Sequence, residues 1–457
     1  MDAATLSLGA LAVAIIVSCT IRLHVGFLAI SLAWVVGVYI AGMSAAEVMA
    51  GFPTRLFLTL AGVTLLFAQA QANGTLDLIA HKAVLLCRGN VGVMPMMFFL
   101  LSFVLASIGP GNIAATALMA PMGMAVAGQV GIPAFLMAIM IGNGANAGSL
   151  SPIAPTGVIV NGVMEEIGLG GYEVSTYLNN MMAHLVVVFV AYFLLGGWRL
   201  LGRYHTGALV VPTREGAGGA GGAEGTSSGG GDASAGGAPG GAAPAGGASG
   251  GAGDFERRHW ITIGVIGTLL VGVILFDVNV GLGAYASAIV LALLKAGDES
   301  AAVQIMPWRV IMMVCGVTVL ISVLDATGGL ELFTRVLAGV STANTVTAVM
   351  AFTTGFISIY SSTSGVVLPA FLPTVPGLAA QVGGVEPLAI ASSMNVGAHL
   401  VDVSALSTLG ALCMASAPKH EDSRKLFNKL MAWGLSMTVV GGFTCWLLFT
   451  VLRIGIG

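Results

Sequence analysis

The fold is decided by the stretch Ser107-Ile-Gly-Pro-Gly-Asn-Ile-Ala-Ala-Thr116 and by the later stretch Gly142-Asn-Gly-Ala-Asn-Ala-Gly-Ser-Leu-Ser-Pro-Ile-Ala-Pro-Thr156. Both lie in a region, Val91 to Met164, that contains no Lys, Arg, Asp, Glu or His. Such a region is typical of the bilayer interior, where broken helix is tolerated only if it is buried in protein or lines a cavity. Paired interruptions of this kind indicate the binding site of a transporter.

The alternative for this region is a glycine-rich seam at which two helices pack closely, of the small-xxx-small kind. A seam explains the glycines but gives the polar side chains no role. The amides and hydroxyls that occur together here are Asn112, Asn143, Asn146, Ser149, Ser151 and Thr156. We therefore favour a binding region.

The composition is that of a polytopic membrane protein. Mean hydropathy is +0.96 and 8% of the residues are charged, whereas soluble proteins carry about 25%. A net charge of −3 gives no reason to expect a nucleic-acid partner. The five cysteines form no Cys-x-x-Cys pair, so we expect neither a disulfide framework nor a protein-bound metal site of that kind. No basic region precedes the first apolar run, which predicts a retained span rather than a signal peptide.

The apolar runs predict an all-α protein with two halves, each holding five transmembrane helices and a re-entrant hairpin. The first half is residues 1–213, with its hairpin at about 91–129 and a broken helix at about 133–164. We expect this broken helix to be unwound over residues 143–155 and to resume toward Met164.

The second half, residues 254–457, repeats the pattern. Its hairpin is expected at about 342–382 and its broken helix at about 387–415, unwound over residues 396–404 and resuming after Val403. Between the halves, residues 214–253 consist mostly of Gly, Ala, Ser and Pro. Such a segment cannot bury enough apolar surface to order itself, which predicts a disordered linker.

An internal repeat is visible in the letters. Gly62-Val-Thr-x-Leu66 matches Gly316-Val-Thr-x-Leu320, and the same offset carries Ser107 onto Ser361. Five crossings per half is an odd number, so the second half is expected to be inverted in the membrane.

The basic residues give the orientation. With the linker in the cytoplasm, fourteen basic residues lie inside and three outside, as the positive-inside rule requires. The three outside are Arg55, Arg335 and Arg453. Both termini are then outside, the first hairpin enters from the cytoplasm, and the second enters from the exterior.

With these features the chain resembles the ion transporter superfamily, and in particular the divalent anion:sodium symporters. Those proteins have two inverted repeats, each with a Ser-Asn-Thr hairpin signature and a broken span carrying a Gly-Thr-Pro-x-x-Asn-like loop. Here the hairpins read Gly111-Asn-Ile113, with Thr116 following, and Ser361-Ser-Thr363; the first broken span reads Ala154-Pro-Thr156, with Asn161 further on. Within the superfamily the likeness is greatest to bacterial malonate/dicarboxylate carriers, and it covers the whole chain except the linker.

The resemblance implies an elevator-type symporter. The hairpins and broken spans would form a mobile transport domain, and the other spans a scaffold that forms a homodimer. The protein would import dicarboxylates such as malonate or C4-dicarboxylates together with Na⁺ across the bacterial cytoplasmic (inner) membrane. The expected partners are thus a small organic anion, Na⁺, the lipid bilayer and a second copy of the chain, with no organic cofactor.

The broken regions hold no Lys or Arg, so an anion there depends on helix N-termini and on neutral donors. We expect half-helices to start after Gly111, Pro152, Ser364 and Val403. The candidate substrate-binding residues are Asn112, Thr116, Ser151, Thr156, Ser362, Thr363 and Ser407.

Na⁺ is a hard cation that prefers oxygen ligands, by the same reasoning as for calcium and magnesium. Unwound backbone carbonyls and the oxygens of Ser, Thr, Asn and Asp side chains meet that preference. The candidate ion-binding residues are Ser107, Asn112, Asn143, Asn146, Ser149, Ser361, Ser364, Asn395, Asp402 and Ser404.

Asp402 and His399 are ionisable residues at membrane depth, which are costly to bury and functional by default. They open an alternative in which transport is coupled to H⁺, and a further one in which the protein exchanges other organic anions. The plainer alternatives are that Asp402 caps the resumed half-helix and that His399 is a neutral, hydrogen-bonded histidine.

Two other classes of protein compete with a secondary transporter. A channel needs a continuous pore lined by charge or carbonyl rings, whereas two inverted hairpins closing on a midplane site favour alternating access. A membrane enzyme needs a nucleophile and base or a set of metal ligands, and no His, Asp and Glu cluster in the sequence offers one.

The first prediction concerns orientation. A broad-specificity protease added outside right-side-out vesicles should leave residues 214–253 uncut, because the basic residues place this linker in the cytoplasm. Gel analysis of the intact chain measures this, with permeabilised vesicles as the control in which cutting must occur. Cutting in sealed vesicles would overturn the orientation and, with it, the side from which each hairpin enters.

Overall fold

The computed structural model describes residues 2–20, 23–85, 90–205, 254–276, 278–418 and 420–455. Across these residues the regular structure is helical, without a β-strand. Seven of the described helices are long and apolar enough to cross a membrane, which confirms the prediction of an all-α polytopic membrane protein. The predicted linker, residues 214–253, falls outside the described residues.

The first half contains ten α-helices in the described part of the chain. Before the hairpin come α1 (Ala3–Thr20), α2 (Val25–Trp34, followed by π-helix Val35–Ile40), α3 (Ala45–Ala50), α4 (Thr54–Ala72) and α5 (Thr75–Leu85). The hairpin and the segments after it are α6 (Met94–Ile108), α7 (Gly111–Val130), α8 (Ala134–Gly148), α9 (Pro155–Glu166) and α10 (Glu173–Leu194).

The second half follows the same order. Before the hairpin come α11 (Arg257–Phe276), α12 (Val280–Leu293), α13 (Glu299–Ile305), α14 (Trp308–Ala326) and α15 (Gly329–Gly339). The hairpin pairs α16 (Val346–Ser358) with an arm made of π-helix Thr363–Val367, α17 (Leu368–Phe371), a 3₁₀ turn (Leu372–Thr374) and α18 (Val375–Val382). The chain then forms α19 (Pro387–Leu400), α20 (Thr408–Ala415) and α21 (Ser423–Cys445) with π-helix Trp446–Val451.

The helix boundaries recur along the chain. Both ends of α4 and α14 are separated by the offset that relates Gly62 to Gly316, and so are both ends of α5 and α15. The second arm of the first hairpin, 111–130, and the second arm of the second hairpin, 363–382, are equal in length. The offset between these two arms is slightly smaller than the offset between α4 and α14. The alignment of the two halves therefore shifts between α5 and the hairpin arm, and Gly111 corresponds to Thr363.

Two close helix crossings join the halves to each other. A Cβ on Gly316 of α14 would lie 2.2 Å from the carbonyl oxygen of Gly26 on α2. Likewise, a Cβ on Gly62 of α4 would lie 2.4 Å from the carbonyl oxygen of Gly281 on α12. Lipid tails are as apolar as Leu, so association inside a bilayer relies on such close backbone packing. Each crossing takes one helix from either half, so neither half has its complete core alone.

The first broken helix remains helical for longer than its sequence suggests. We expected unwinding from Asn143, but α8 continues to Gly148, and in the second half α19 continues to Leu400 rather than stopping at Val396. Gly144 and Gly148 pack against the carbonyl oxygens of Phe99 and Phe103 on α6. These two glycines therefore form a packing seam. The helix continues because its backbone N–H and C=O groups would have no water to hydrogen-bond with if it unwound.

Two short helices were not predicted. Helix α3 begins at a capping box in which Ser44 and Glu47 bond each other's backbone N–H groups, and α13 is capped by Asp298, which accepts from the N–H of Ala301. Both precede a long helix by a few residues, and both are too short to show a hydrophobic period.

The fold prediction is that Gly316→Ala destabilises the protein. The added methyl cannot fit against Gly26 without moving α2 away from α14, and overpacking of this kind costs about 1–3 kcal/mol. A lower melting temperature in detergent measures it. The matched control is Gly264→Ala on α11, where a Cβ meets nothing within 4 Å; equal melting temperatures for the two variants would contradict the crossing.

Candidate functional site

The two hairpin tips and the second broken region meet around one pocket. Its volume is about 360 Å³, and its walls also include the end of α1 and the start of α14. Seven of the predicted site residues line it: Asn112, Ser361, Ser362, Thr363, Ser364, Asp402 and Ser407. The predicted residues in the pocket wall are therefore neutral donors and acceptors, with Asp402 as the carboxylate among them, and apolar side chains such as Leu406 and Met313 complete the wall.

The first tip is a tight turn made by glycines. Gly109 and Gly111 have φ angles of 142° and 80°, in the region that L side chains rarely adopt, and Pro110 lies between them. This turn places Asn112 at the second position of α7, facing the pocket.

The second tip is held by hydroxyl groups. The Ser362 side chain accepts a hydrogen bond from the N–H of Gly365 at 3.2 Å, which caps the π-helix that follows. Ser361 Oγ lies 2.6 Å from Ser18 Oγ on α1. The second hairpin therefore contacts the predicted scaffold directly at its tip.

Asp402 lies in the turns between α19 and α20, next to this tip. Thr363 Oγ1 donates a hydrogen bond to Asp402 Oδ1 at 2.7 Å, so the hairpin and the broken helix are joined across the pocket wall. Asp402 does not cap α20: Ser407 does, by accepting from the N–H of Gly410 at 3.2 Å. The plainer alternative, in which Asp402 only caps the resumed half-helix, is therefore wrong.

The resumed half-helices begin later than predicted. Helix α9 starts at Pro155 rather than after Pro152, and α20 starts at Thr408 rather than after Val403. In both loops the chain folds back onto the next helix, so that a Cβ on Gly157 would lie 1.9 Å from Ser151 O, and one on Gly410 would lie 1.9 Å from Ser404 O. These glycines allow extra residues of non-helical backbone to be accommodated before the helix restarts.

A network of buried amides lies behind the pocket. Asn112 Nδ2 donates to Asn146 Oδ1 at 2.8 Å, and Asn146 Nδ2 donates to the carbonyl oxygen of His399 at 2.9 Å. From α10, Asn180 Nδ2 donates to the carbonyl oxygen of Asn146 at 2.8 Å. The network therefore connects the first hairpin tip with both broken helices and with α10.

Sequence reasoning missed the contribution of α10. His184 is fully buried, and its Nδ1 lies 3.1 Å from Asn143 Oδ1. Asn180 and His184 are four residues apart and hence on one face of the helix. A polar pair at that spacing within an apolar span was the signal that would have identified this face.

The remaining predicted residues lie behind or beside the pocket rather than in its wall. Ser107 Oγ donates to Phe103 O at 2.8 Å and lies 2.9 Å from Tyr177 OH, while Ser149 Oγ donates to Asn146 O at 2.8 Å. All the others in this group are buried: Thr116, Asn143, Asn146, Ser151, Thr156, Asn395 and Ser404.

Several of these buried oxygens have no hydrogen-bond partner among the described residues. They are Thr116 Oγ1, Asn395 Oδ1, Ser404 Oγ and, on α10, Asn180 Oδ1. Buried polar atoms are normally satisfied by protein, water or an ion. Neutral oxygens left open in this way are suited to a hard monovalent cation or to water.

The pocket also has a cation that sequence reasoning missed. Arg309, the second residue of α14, lines the pocket together with Asn112, Thr363 and Asp402. The broken segments themselves contain no Lys or Arg, but the start of a neighbouring span supplies a guanidinium. Helices α14 and α2 meet there, so no local sequence pattern could indicate it.

Comparison with known proteins gives two findings. Residues 1–149 match the family model for the N-terminus of the dicarboxylate carrier protein MatC. Over nearly the whole length, the fold is similar to that of the YdaH transporter of Alcanivorax borkumensis, a structure described as having an unusual topology. The TM-score is 0.55 at 13% identity, covering 98% of this chain and 100% of that one. No curated protein sequence matches the chain.

These findings agree in kind. A carrier family matches the N-terminal part, and the whole chain has the fold of a helical membrane transporter. They confirm the likeness to dicarboxylate carriers over residues 1–149, and the fold of nearly the whole chain agrees with the prediction of a transport protein rather than an enzyme.

The site prediction concerns the two tips. Asn112→Ala and Thr363→Ala should each abolish uptake while leaving a folded, inserted protein, because each removes a polar group from the pocket and a bond to a neighbouring segment. Uptake in proteoliposomes and size-exclusion elution in detergent measure this. Thr363→Ser keeps the hydroxyl and is the matched control; near-normal uptake by both alanine variants would mean that the tips serve packing alone.

Proposed function

We propose that the protein is a secondary transporter of dicarboxylates. The observation that carries this proposal is the pocket between the two hairpin tips, in which the hydroxyl groups and the Asn112 amide share the wall with apolar side chains and one guanidinium lies at the edge. The family match over residues 1–149 supports a dicarboxylate in particular.

The pocket suits a small dianion. Asn112, Thr363 and Thr408 line it from the first turns of three helical segments, whose N-termini carry a partial positive charge and N–H groups that have no partner within the helix. Its volume of about 360 Å³ is at the small end of ligand sites. Malonate and C4-dicarboxylates fit these dimensions, and each has two carboxylates to share among the donors.

Na⁺ is the coupling ion that we favour. Buried neutral oxygens without a hydrogen-bond partner among the described residues, such as Thr116 Oγ1 and Ser404 Oγ, are of the type that a hard cation prefers. Asn146, which is hydrogen-bonded to Asn112 at the tip, adds an amide oxygen. An ion held there would add positive charge close to the substrate. Binding of the ion would then favour binding of the dicarboxylate, which is what symport requires.

Coupling to H⁺ is the alternative, and the geometry leaves one of the two predicted residues as the proton carrier. Asp402 lines the pocket, whereas His399 is fully buried, with its Nδ1 2.7 Å from the carbonyl oxygen of Asn395. A carbonyl oxygen only accepts, so His399 holds a proton on Nδ1 and is tied within its own helix. A proton carrier that exchanges with the pocket would therefore be Asp402 and not the pair.

We infer that transport follows an elevator movement of inverted repeats in a homodimer in the bacterial inner membrane. The recurrence of helix boundaries at a nearly constant offset supports the repeat. Contacts also join segments that the predicted topology puts on one side, such as Asn73 Nδ2 with the carbonyl oxygen of Ala296 at 2.7 Å.

The decisive experiment is an uptake panel in proteoliposomes. Labelled malonate, succinate and a monocarboxylate are offered with a Na⁺ gradient, with a pH gradient and with neither. We expect Na⁺-dependent accumulation of a dicarboxylate. We also expect counterflow of labelled against unlabelled dicarboxylate when no ion gradient is present. Uptake of the monocarboxylate alone would overturn the substrate class, and flux without counterflow would indicate a channel.

The coupling prediction concerns Asp402→Asn. If Asp402 helps to hold Na⁺, Asn keeps one oxygen and loses the charge, so uptake should persist with a weaker apparent Na⁺ affinity. If Asp402 carries a proton, Asn cannot titrate, and accumulation should vanish while exchange survives. We expect the first result. Asp325→Asn, an exposed carboxylate on α14, is the control, and uptake that ignores Na⁺ but follows a pH gradient would reverse the choice.

A further inference from the structure

Arg309 has a counterpart in the first half of the chain. The offset that relates Gly62 to Gly316 also relates both ends of α4 to those of α14, and it carries Arg55 onto Arg309. Each arginine is the second residue of its helix. The predicted topology puts Arg55 at the exterior end of α4 and Arg309 at the cytoplasmic end of α14.

The two arginines have different surroundings. Arg309 is exposed, lines the pocket and forms no ion pair with any residue that the structure describes. Arg55 does not line the pocket. Its Nη1 lies 2.7 Å from Glu165 Oε1 on α9, and the side chains of this pair are 75% and 51% exposed.

The different surroundings of Arg309 and Arg55 correspond to the side of the membrane toward which the pocket opens. The pocket is walled by the end of α1, the start of α2 and the start of α14, through residues such as Ser18, Val25 and Arg309. It therefore faces the membrane side on which Arg309 lies. On the opposite side, at the start of α4, the carboxylate of Glu165 forms an ion pair with Arg55.

We infer that Arg309 and Arg55 are equivalent recognition residues for the anionic substrate, one at each entrance of the same site. This inference rests on the proposed function. Arg309 meets a substrate carboxylate when the site faces the cytoplasm, and Arg55 does so when the site faces the exterior. Glu165 takes the place of the substrate carboxylate on Arg55 while the site faces inward.

The charges make this arrangement useful. A dianion approaching the pocket meets the Asp402 carboxylate, which faces the same cavity, so a guanidinium at the mouth offsets the repulsion. Arginine is suited to the task because its planar guanidinium binds a carboxylate with two parallel hydrogen bonds. Charges at an exposed rim act mainly on association and are weakened by salt.

The experiment measures the apparent KM for a dicarboxylate on each side of the membrane. Right-side-out and inside-out vesicles holding the full chain are compared, with the sides assigned from protease access to the linker. Arg309→Gln should raise KM about fivefold on the cytoplasmic side only, and Arg55→Gln about fivefold on the exterior side only, as expected for an exposed charge pair. Raising the salt concentration should reduce both effects.

Three further variants sharpen the test. Glu165→Gln frees Arg55 and should lower the exterior KM without changing the cytoplasmic one. Arg309→Lys keeps the charge but not the fork, and should fall between Gln and the unsubstituted protein. Arg335→Gln is the matched control, since Arg335 is a similarly exposed arginine paired with Glu331 at 2.8 Å on α15, and it should change neither KM.

The outcomes distinguish a failure of the arginine inference from a failure of the proposed transport function. Dicarboxylate transport by the unsubstituted protein with no sided change in either arginine variant would overturn this inference and leave the proposed function standing. Equal changes on both sides would also overturn it, because they would indicate a general charge effect. Failure of the unsubstituted protein to transport any dicarboxylate would refute the proposed function, and the inference with it.

Discussion

Backbone groups inside a bilayer must find partners within the protein, and the site exists because this chain meets that requirement at two loops. Between α8 and α9, and again between α19 and α20, the chain leaves the helix at membrane depth. Each loop folds back so closely that only glycine fits at the start of the next helix, at Gly157 and Gly410. Polar side chains supply hydrogen bonds to backbone groups at these loops. Ser407 caps α20, and Asn146 donates to the carbonyl oxygen of His399 and so joins the first broken helix to the second. The polar groups that line the pocket follow from the same requirement.

Much of the helical architecture could be predicted from the sequence, because the signals were backbone signals. Gly109, Pro110 and Gly111 stand next to one another, and two of them adopt positive φ angles. In the structure α6 accordingly ends just before them and α7 begins at the last of the three. The limits of the unwound segments were wrong, because Asn143 and Gly144 were interpreted as helix breakers. In the structure Asn143 Nδ2 bonds the carbonyl oxygen of Ile139 one turn earlier, and Gly144 allows α6 to approach. Propensities measured in water overestimate breaking where the helix has no competing solvent.

The candidate site was predictable only where its residues lie on the interrupted segments themselves. Asn112, Thr363 and Asp402 belong to those segments and line the pocket. Arg309 and His184 belong to other helices, and only tertiary packing brings them near. The repeat could have indicated Arg309 indirectly, because Arg55 precedes it by the same offset that separates the matching Gly-Val-Thr letters. A recurring charge within an otherwise apolar pair of helices was as informative as the recurring glycines.

The two loops share a backbone but differ in chemistry, and the difference has a physical consequence. At the offset that relates Gly157 to Gly410, Ser149 corresponds to Asp402 and Asn146 to His399. The first half thus carries neutral groups where the second half carries ionisable ones. The proposed carrier, which would open to both sides, would need the similar backbone, since each orientation must satisfy the same loops. The binding of a dianion with its coupling ion does not need identical side chains, and a single carboxylate at the pocket allows one cation to be balanced there. Asp402 stands in one loop only, where Thr363 Oγ1 donates to it; under the proposed function, this arrangement would supply one carboxylate to balance a coupling ion without doubling the repulsion of a dianionic substrate.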